Sequence, residues 1–156
     1  MMRIALGFPD VEAEKNILLS NNEGPTNTTN NSRQAITTQE LISMQKHIQQ
    51  IHVANDVIDY IIALCRVTRA PFSFGDKSEI TCKPLSPRAG KSLLAAAKAW
   101  AFINNRDFVL PDDVQAVFSA VCQHRIELSA QEYNGSQNPL SEQIIQCVDV
   151  LNPLKQ

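Results

Sequence analysis

Gly90-Lys91-Ser92 stands at the start of an apolar helical pattern, as in the tail of a phosphate-binding loop. Such a loop curls so that successive backbone N–H groups face the phosphates, which requires a glycine five residues before Gly90. Leu85 holds that position, Pro87 removes another donor, and no apolar strand leads into the segment. Leu93, Leu94, Ala95 and Ala96 then continue a helix as core and filler. Val109-Leu110-Pro111-Asp112-Asp113 imitates an apolar strand ending in paired magnesium-holding acids. Pro followed by two acids is, however, the ordinary first turn of a helix, where the dipole favours negative charge. Cys65, Cys82, Cys122 and Cys147 form no Cys-x-x-Cys pair, and His47, His52 and His124 add no close ligand pairs. They read as reduced thiols in an apolar core, and no metal site is expected. The Asn-x-Ser/Thr triplets at Asn27, Asn30 and Asn134 read as polar-loop composition.

Arg88 is different. With Ser86 as N-cap and Pro87 as the first helical residue, Arg88 lies in the first turn. A cation there opposes the positive end of the helix dipole, at a cost of a few tenths to about 1 kcal/mol. Two readings follow: a solvated surface arginine that tolerates the cost, or an arginine and helix N-terminus that jointly face an anion.

The elements that must position these residues are mostly helical. Met2 to Phe8 reads as a short β-type run, and Pro9-Asp10 opens a helix through about Ser20 with Val11, Ile17 and Leu18 as a sparse apolar face. The polar stretch Asn21–Gln34 can bury nothing and reads as a mobile loop. Thr37 or Thr38 caps a helix bearing Leu41, Met44, Ile48 and Ile51. A helix from about Ala54 carries Val57, Ile58, Ile61, Ile62 and Cys65 on one face and stops before Pro71. The Pro71–Pro84 segment, with Gly75-Asp76, reads as a loop or short hairpin. Ser86-Pro87 starts the strongest helix, to about Asn104, with Leu93, Leu94, Ala97, Trp100 and Ala101 as its stripe. Pro111 starts another with Val114, Val117, Phe118, Val121 and Cys122; Asn134-Gly135 marks a turn, and a last helix carries Leu140, Ile144, Ile145 and Val148. The expected fold is mainly α, a small helical bundle preceded by one short strand and a linking helix.

Composition narrows the function further. The 156 residues carry 14 Lys+Arg against 16 Asp+Glu, a net charge of −2, which argues against non-specific nucleic-acid binding. A helix–turn–helix reading of the pair around Asn104–Pro111 fails because its second helix begins with Asp112-Asp113 and has no basic face. With 44% hydrophobic and 19% charged residues the chain is globular, and no apolar run approaches the roughly 18–20 residues of a membrane span.

Several stretches in order resemble the C-terminal lid of MoxR-type AAA+ ATPases. They are Ser86-Pro87-Arg88-Ala89, Leu93 to Ala101, Asn105-Arg106-Asp107 through Pro111-Asp112-Asp113 to Val117, and His124-Arg125-Ile126. Ile51-His52-Val53 through Val67-Thr68-Arg69 is similar to the family helix that ends in Thr-Arg. Met2 to Asp10, with Glu12, Glu14 and Ile17-Leu18, resembles the last core strand and the helix leading into the lid. The chain departs from the pattern at three places. Lys83-Pro84-Leu85 stands where a glycine is usual, Asn105 replaces a glycine, and Leu110 replaces a capping Thr.

The resemblance implies three parts: residues 1–21 as last core strand and linking helix, 22–35 as a flexible Asn/Thr-rich loop, and 36–156 as the helical lid. It implies that Arg88, within the Ser86, Pro87, Arg88, Ala89 nucleotide-facing motif, is the sensor-2 residue that reaches the γ-phosphate of ATP bound in a core domain. Arg106, Asp107, His124 and Arg125 then hold the lid together. ATP and magnesium belong to the intact family protein, and none is expected for this chain alone, which lacks the P-loop and the acidic magnesium motif. The implied partners are the AAA+ core, neighbouring subunits of a hexameric ring, and a client protein with a von Willebrand A domain, in the cytoplasm. The alternative is a stand-alone, non-catalytic helical interaction module derived from such a lid.

Overall fold

The structure, a computed structural model, describes residues 2–4, 8–19, 36–73, 80–126 and 139–154. Among them are six helices: α1 Val11–Leu19, α2 Thr38–Gln50, α3 Asn55–Val67, α4 Pro87–Ile103, α5 Pro111–Ile126 and α6 Leu140–Cys147. The mainly helical expectation holds. Residues 2–4 are not in a strand; the Arg3 N–H donates to the Ala120 carbonyl at 2.8 Å, and residues 5–7 lie outside the described set. So do the expected loop at 22–35, Gly75-Asp76 and Asn134-Gly135.

The core forms around α4 and α5. Every fourth residue of α4, from Ala89 through Leu93 and Ala97 to Ala101, is buried, and three of the four are alanines. Small side chains at this i, i+4 spacing let α5 approach closely with its larger Val114, Val117, Phe118, Val121 and Cys122. The third side is closed by α3, with Val57, Tyr60, Ile61, Leu64 and Cys65, and α6 adds Ile144. Leu64, Leu93 and Phe118 are fully buried, and each such burial contributes about 1.5–3 kcal/mol. Tyr60 keeps its hydroxyl satisfied by accepting from Gln115 Nε2 at 3.0 Å.

Two joints tie the helices in register. His52, between α2 and α3, forms a parallel bridge with Phe108, between α4 and α5. The His52 N–H donates to Asp107 O at 2.9 Å, and the Val109 N–H donates to His52 O at 3.0 Å. Phe72 and Ile80 form an antiparallel bridge, so the segment after α3 does double back as a hairpin would.

The two N-terminal helices depart from the sequence expectation. α2 has the expected start, a capping box in which Thr37 Oγ1 accepts from the Glu40 N–H and Glu40 accepts from the Thr37 N–H. Its stripe is not core, however: Leu41 is half exposed, Met44 and Ile48 are only partly covered, and Ile51, just past the helix, is the buried one. α1 buries nothing, and its Val11, Ile17 and Leu18 face solvent. Trp100, placed on the α4 stripe by periodicity, is 42% exposed at its margin.

Candidate functional site

The loop that delivers α4 is fastened by Thr68. Its hydroxyl donates to the Cys65 carbonyl at 2.7 Å and accepts the Leu85 N–H at 2.9 Å, and the residue is buried. One side chain thus closes the end of α3 and pins the residue before the Ser-Pro-Arg-Ala motif. Leu85 itself is 2% exposed and anchors the loop in the core. The Lys83 N–H donates to Ile126 O at 3.3 Å, tying the same loop to the end of α5. Among the described non-glycine residues only Asn105 has a positive φ, so Lys83-Pro84-Leu85 needs no glycine-type conformation.

Ser86 is the N-cap, with its hydroxyl accepting the Ala89 N–H at 3.4 Å; Pro87 follows at the first helical position. Ala89 points into the core, whereas Ser86, Pro87 and Arg88 are exposed. The guanidinium of Arg88 makes no hydrogen bond or ion pair with any described residue. A long cation is therefore held at the positive end of a 17-residue helix, with no carboxylate among the described residues to neutralise it. The five donors of a guanidinium, carried in the first turn of a helix, are chemically suited to a phosphoryl group.

Gly90, Lys91 and Ser92 are already inside α4, so their backbone is helical and forms no phosphate cradle. The Ser92 hydroxyl donates back to the Arg88 carbonyl at 3.1 Å. Asp112 and Asp113 likewise do different work. Asp113 is 2% exposed and receives both guanidinium nitrogens of Arg106, one at 2.6 Å, together with the Leu110 N–H at 2.8 Å. The Arg106 hydrogen bonds hold its carboxyl below the usual carboxylate range, helped by the Leu110 N–H and against the opposing effect of burial. The Asp113–Leu110 bond is the return half of a capping box, and it compensates for the capping Thr that Leu110 replaces. Asp112 stays exposed.

Arg106 reaches Asp113 because α4 ends in a Schellman motif. The Asn105 N–H donates to Phe102 O and the Arg106 N–H to Ala101 O, both at 2.9 Å, with Asn105 at φ 55°. Asparagine thus occupies the left-handed position in place of glycine. Arg125 Nε donates to His124 Nε2 at 3.4 Å within α5, and Asp107 contributes its backbone carbonyl to the His52 joint. The roles of Thr68 and Asp113 escape sequence reading, since their partners lie 17 and 7 residues away across turns that have no periodicity.

Residues 83–146 match the family model of the AAA lid domain. The chain carries a MoxR-type AAA+ lid region. Chaperone MoxR1 of Mycobacterium tuberculosis is 28% identical over 93% of this chain and 37% of its own length. Protein MoxR of Paracoccus denitrificans is 37% identical over 50% of this chain and 25% of its own. The structure of a candidate ATPase from Cytophaga hutchinsonii superposes with a TM-score of 0.69 at 27% identity, covering 96% of this chain and 46% of that one. The chain thus spans roughly a third of the curated relatives it matches. The matched lid residues include the Ser86–Ala89 motif, the α4–α5 turn with its Arg106–Asp113 pair, and the start of α6. Among the described residues no helix is long and apolar enough to cross a membrane.

Proposed function

We propose that this chain is the sensor-2 lid of a MoxR-type AAA+ ATPase, contributing Arg88 to ATP binding and hydrolysis that drive chaperone-like remodelling of partner proteins. The observation that carries this reading is the placement of Arg88, exposed and without a carboxylate partner among the described residues, at the start of α4 on a loop fastened by Thr68 and Leu85. A cation so placed gains when the terminal phosphoryl group of a nucleotide approaches, and it stabilises the negative charge there. Lid and core then close on triphosphate and relax on diphosphate. Asp113 is engaged by Arg106 and Leu110 and is not available to magnesium, which the core domain of the intact protein would hold.

The same reading places the lid in a ring of subunits, taken to be hexameric, that acts on a client bearing a von Willebrand A domain. The thiols of Cys65, Cys82, Cys122 and Cys147 suit the reducing cytoplasm. Residues 1–21 would lead in from the core, 22–35 would link, and 36–156 would form the lid. Taken alone, the 156-residue chain binds fluorescent ATP analogues weakly and does not hydrolyse ATP; low-micromolar affinity in a titration would refute this. In an ATPase assembled from this lid and a P-loop core, Arg88→Ala lowers ATP turnover while the far-UV spectrum is unchanged. Unchanged turnover would favour the alternative, a non-catalytic interaction module.

A further inference from the structure

A groove of about 330 Å³ runs between α3 and α4, beside the start of α4 but without Arg88 in its lining. One wall is the α3 stripe Ile58, Ile61, Ile62 and Cys65; the other is Pro87, Gly90 and Leu94 of α4. Ile58 and Ile62 are 38% and 43% exposed, although isoleucine is among the most commonly buried residues. The polar part of the lining is cationic, Arg69 on one side and Lys91 on the other, with no carboxylate among the described residues. The cations continue beyond the groove, C-terminal to Asp56 and Asp59 in the first turns of α3. From Tyr60 to Lys98 the described residues include Arg66, Arg69, Lys83, Arg88, Lys91 and Lys98 and no acid, in a chain whose net charge is −2. The two carboxylates of that stretch, Asp76 and Glu79, lie outside the described residues.

Gly90 is an independent sign that something enters the groove. Glycine within a helix costs roughly 0.5–1 kcal/mol relative to alanine. The fold does not require it here. A Cβ at Gly90 would lie 3.6 Å from Cys65 Sγ and 3.7 Å from Ile61 Cγ2, ordinary contact distances. What the missing methyl does is leave the groove deeper beside Ile61 and Cys65.

We infer that the α3–α4 groove is a docking site for an amphipathic helix of a partner protein, its apolar stripe seated on Ile58, Ile62 and Leu94 and acidic residues at its margins meeting Arg69 and Lys91. Two apolar helical stripes side by side make a seat for a third helix, read by anchors at i, i+3, i+4 and i+7. Charge on the rim sets orientation and encounter rate, and apolar anchors set residence. This site does not depend on the nucleotide reading of Arg88.

The test uses the full chain and a fluorescein-labelled helical peptide of about four turns, with Leu and Ile along one stripe and Glu on both margins. A control peptide carries Lys at the margins. Anisotropy titration gives saturable binding of the acidic peptide, at least tenfold tighter than the Lys peptide and weakened by salt. Gly90→Ala raises the melting temperature yet weakens binding several-fold, a split that loss of folding cannot produce. Ile62→Gln and the Arg69→Glu, Lys91→Glu pair each weaken it at least tenfold, with native melting transitions. Equal binding of the two peptides, no binding, or insensitivity to these substitutions would overturn the inference. So would sedimentation showing that the unliganded chain self-associates through this face, with Ile62→Gln abolishing the dimer.

Discussion

Replacing Arg106 by alanine strands a buried carboxylate, and the cost can be set against that of removing the carboxylate itself. Asp113 is 2% exposed and has three donors, two from Arg106 and one from the Leu110 N–H. After Arg106→Ala only the Leu110 N–H remains. Breaking a buried pair by removing one partner costs about 3–5 kcal/mol. Because the Arg106 side chain is 26% exposed, water reaches the vacated site, and about 2–3 kcal/mol is expected. Asp113→Ala instead frees Arg106 to turn into solvent and leaves the Leu110 N–H near water, for about 1–2 kcal/mol. Urea unfolding followed by far-UV circular dichroism at pH 7 should therefore rank Arg106→Ala below Asp113→Ala. With a slope of about 1.5 kcal/mol per molar urea, the Arg106→Ala midpoint falls by roughly 1.3–2 M.

The pH dependence makes this sharper. In the wild-type protein the carboxyl of Asp113 is held low, so its contribution to stability is present above the unfolded value of about 3.9 and is lost as pH falls through the lower folded value. In Arg106→Ala burial dominates and raises the same group, so lowering the pH toward about 4.5 lets it bind a proton in the folded state and recover stability. The gap between wild type and Arg106→Ala must narrow from pH 7 to pH 4.5. A gap that stays constant or widens, or an Asp113→Ala variant less stable than Arg106→Ala, would refute the reasoning.

Two further outcomes test other parts of the lid. Asn105 sits at φ 55°, so Asn105→Gly should unfold within a few tenths of a kcal/mol of wild type, while Asn105→Val loses about 1–2 kcal/mol; equal stability would show that the left-handed turn is not required. Burial, with a smaller contribution from neighbouring Cys65, pushes the Cys122 thiol up to about 12, whereas Cys147 is only half-buried. Alkylation near pH 8 followed by mass spectrometry should therefore label Cys147 well before Cys122, and equal rates would contradict the burial.

The legible part of this fold was the part written at helical spacing. The α3, α4 and α5 stripes, the Ser86 cap, the Pro87 and Pro111 starts and the left-handed Asn105 all follow from local patterns that the packed structure keeps. Periodicity says less about what a stripe faces. α1 and α2 carry apolar residues at plausible spacing, yet in this structure those residues lie mostly in solvent, because burial depends on which element arrives opposite. The fastening of the Arg88 loop was invisible for a related reason. Thr68 and Leu85 become partners only when the intervening segment has folded back through the Phe72–Ile80 bridge. Asp113 read as an ordinary first-turn acid and is in fact also a buried partner of Arg106, since the Schellman turn aims the guanidinium across the helix start. Arg88 itself was legible through its misfit, a cation at the wrong end of a helix.

That misfit leads to the most direct measurement. If Arg88 contacts the terminal phosphoryl group, it contributes to triphosphate binding and not to diphosphate binding. Affinities for ADP and for a non-hydrolysable ATP analogue should be measured on a P-loop core joined to this lid, with Arg88 and with Arg88→Ala. The substitution should weaken the triphosphate analogue about tenfold or more and leave ADP within about twofold, a difference of at least roughly 1 kcal/mol assigned to one phosphate. An equal loss for both nucleotides, or no loss for either, would contradict the sensor-2 role.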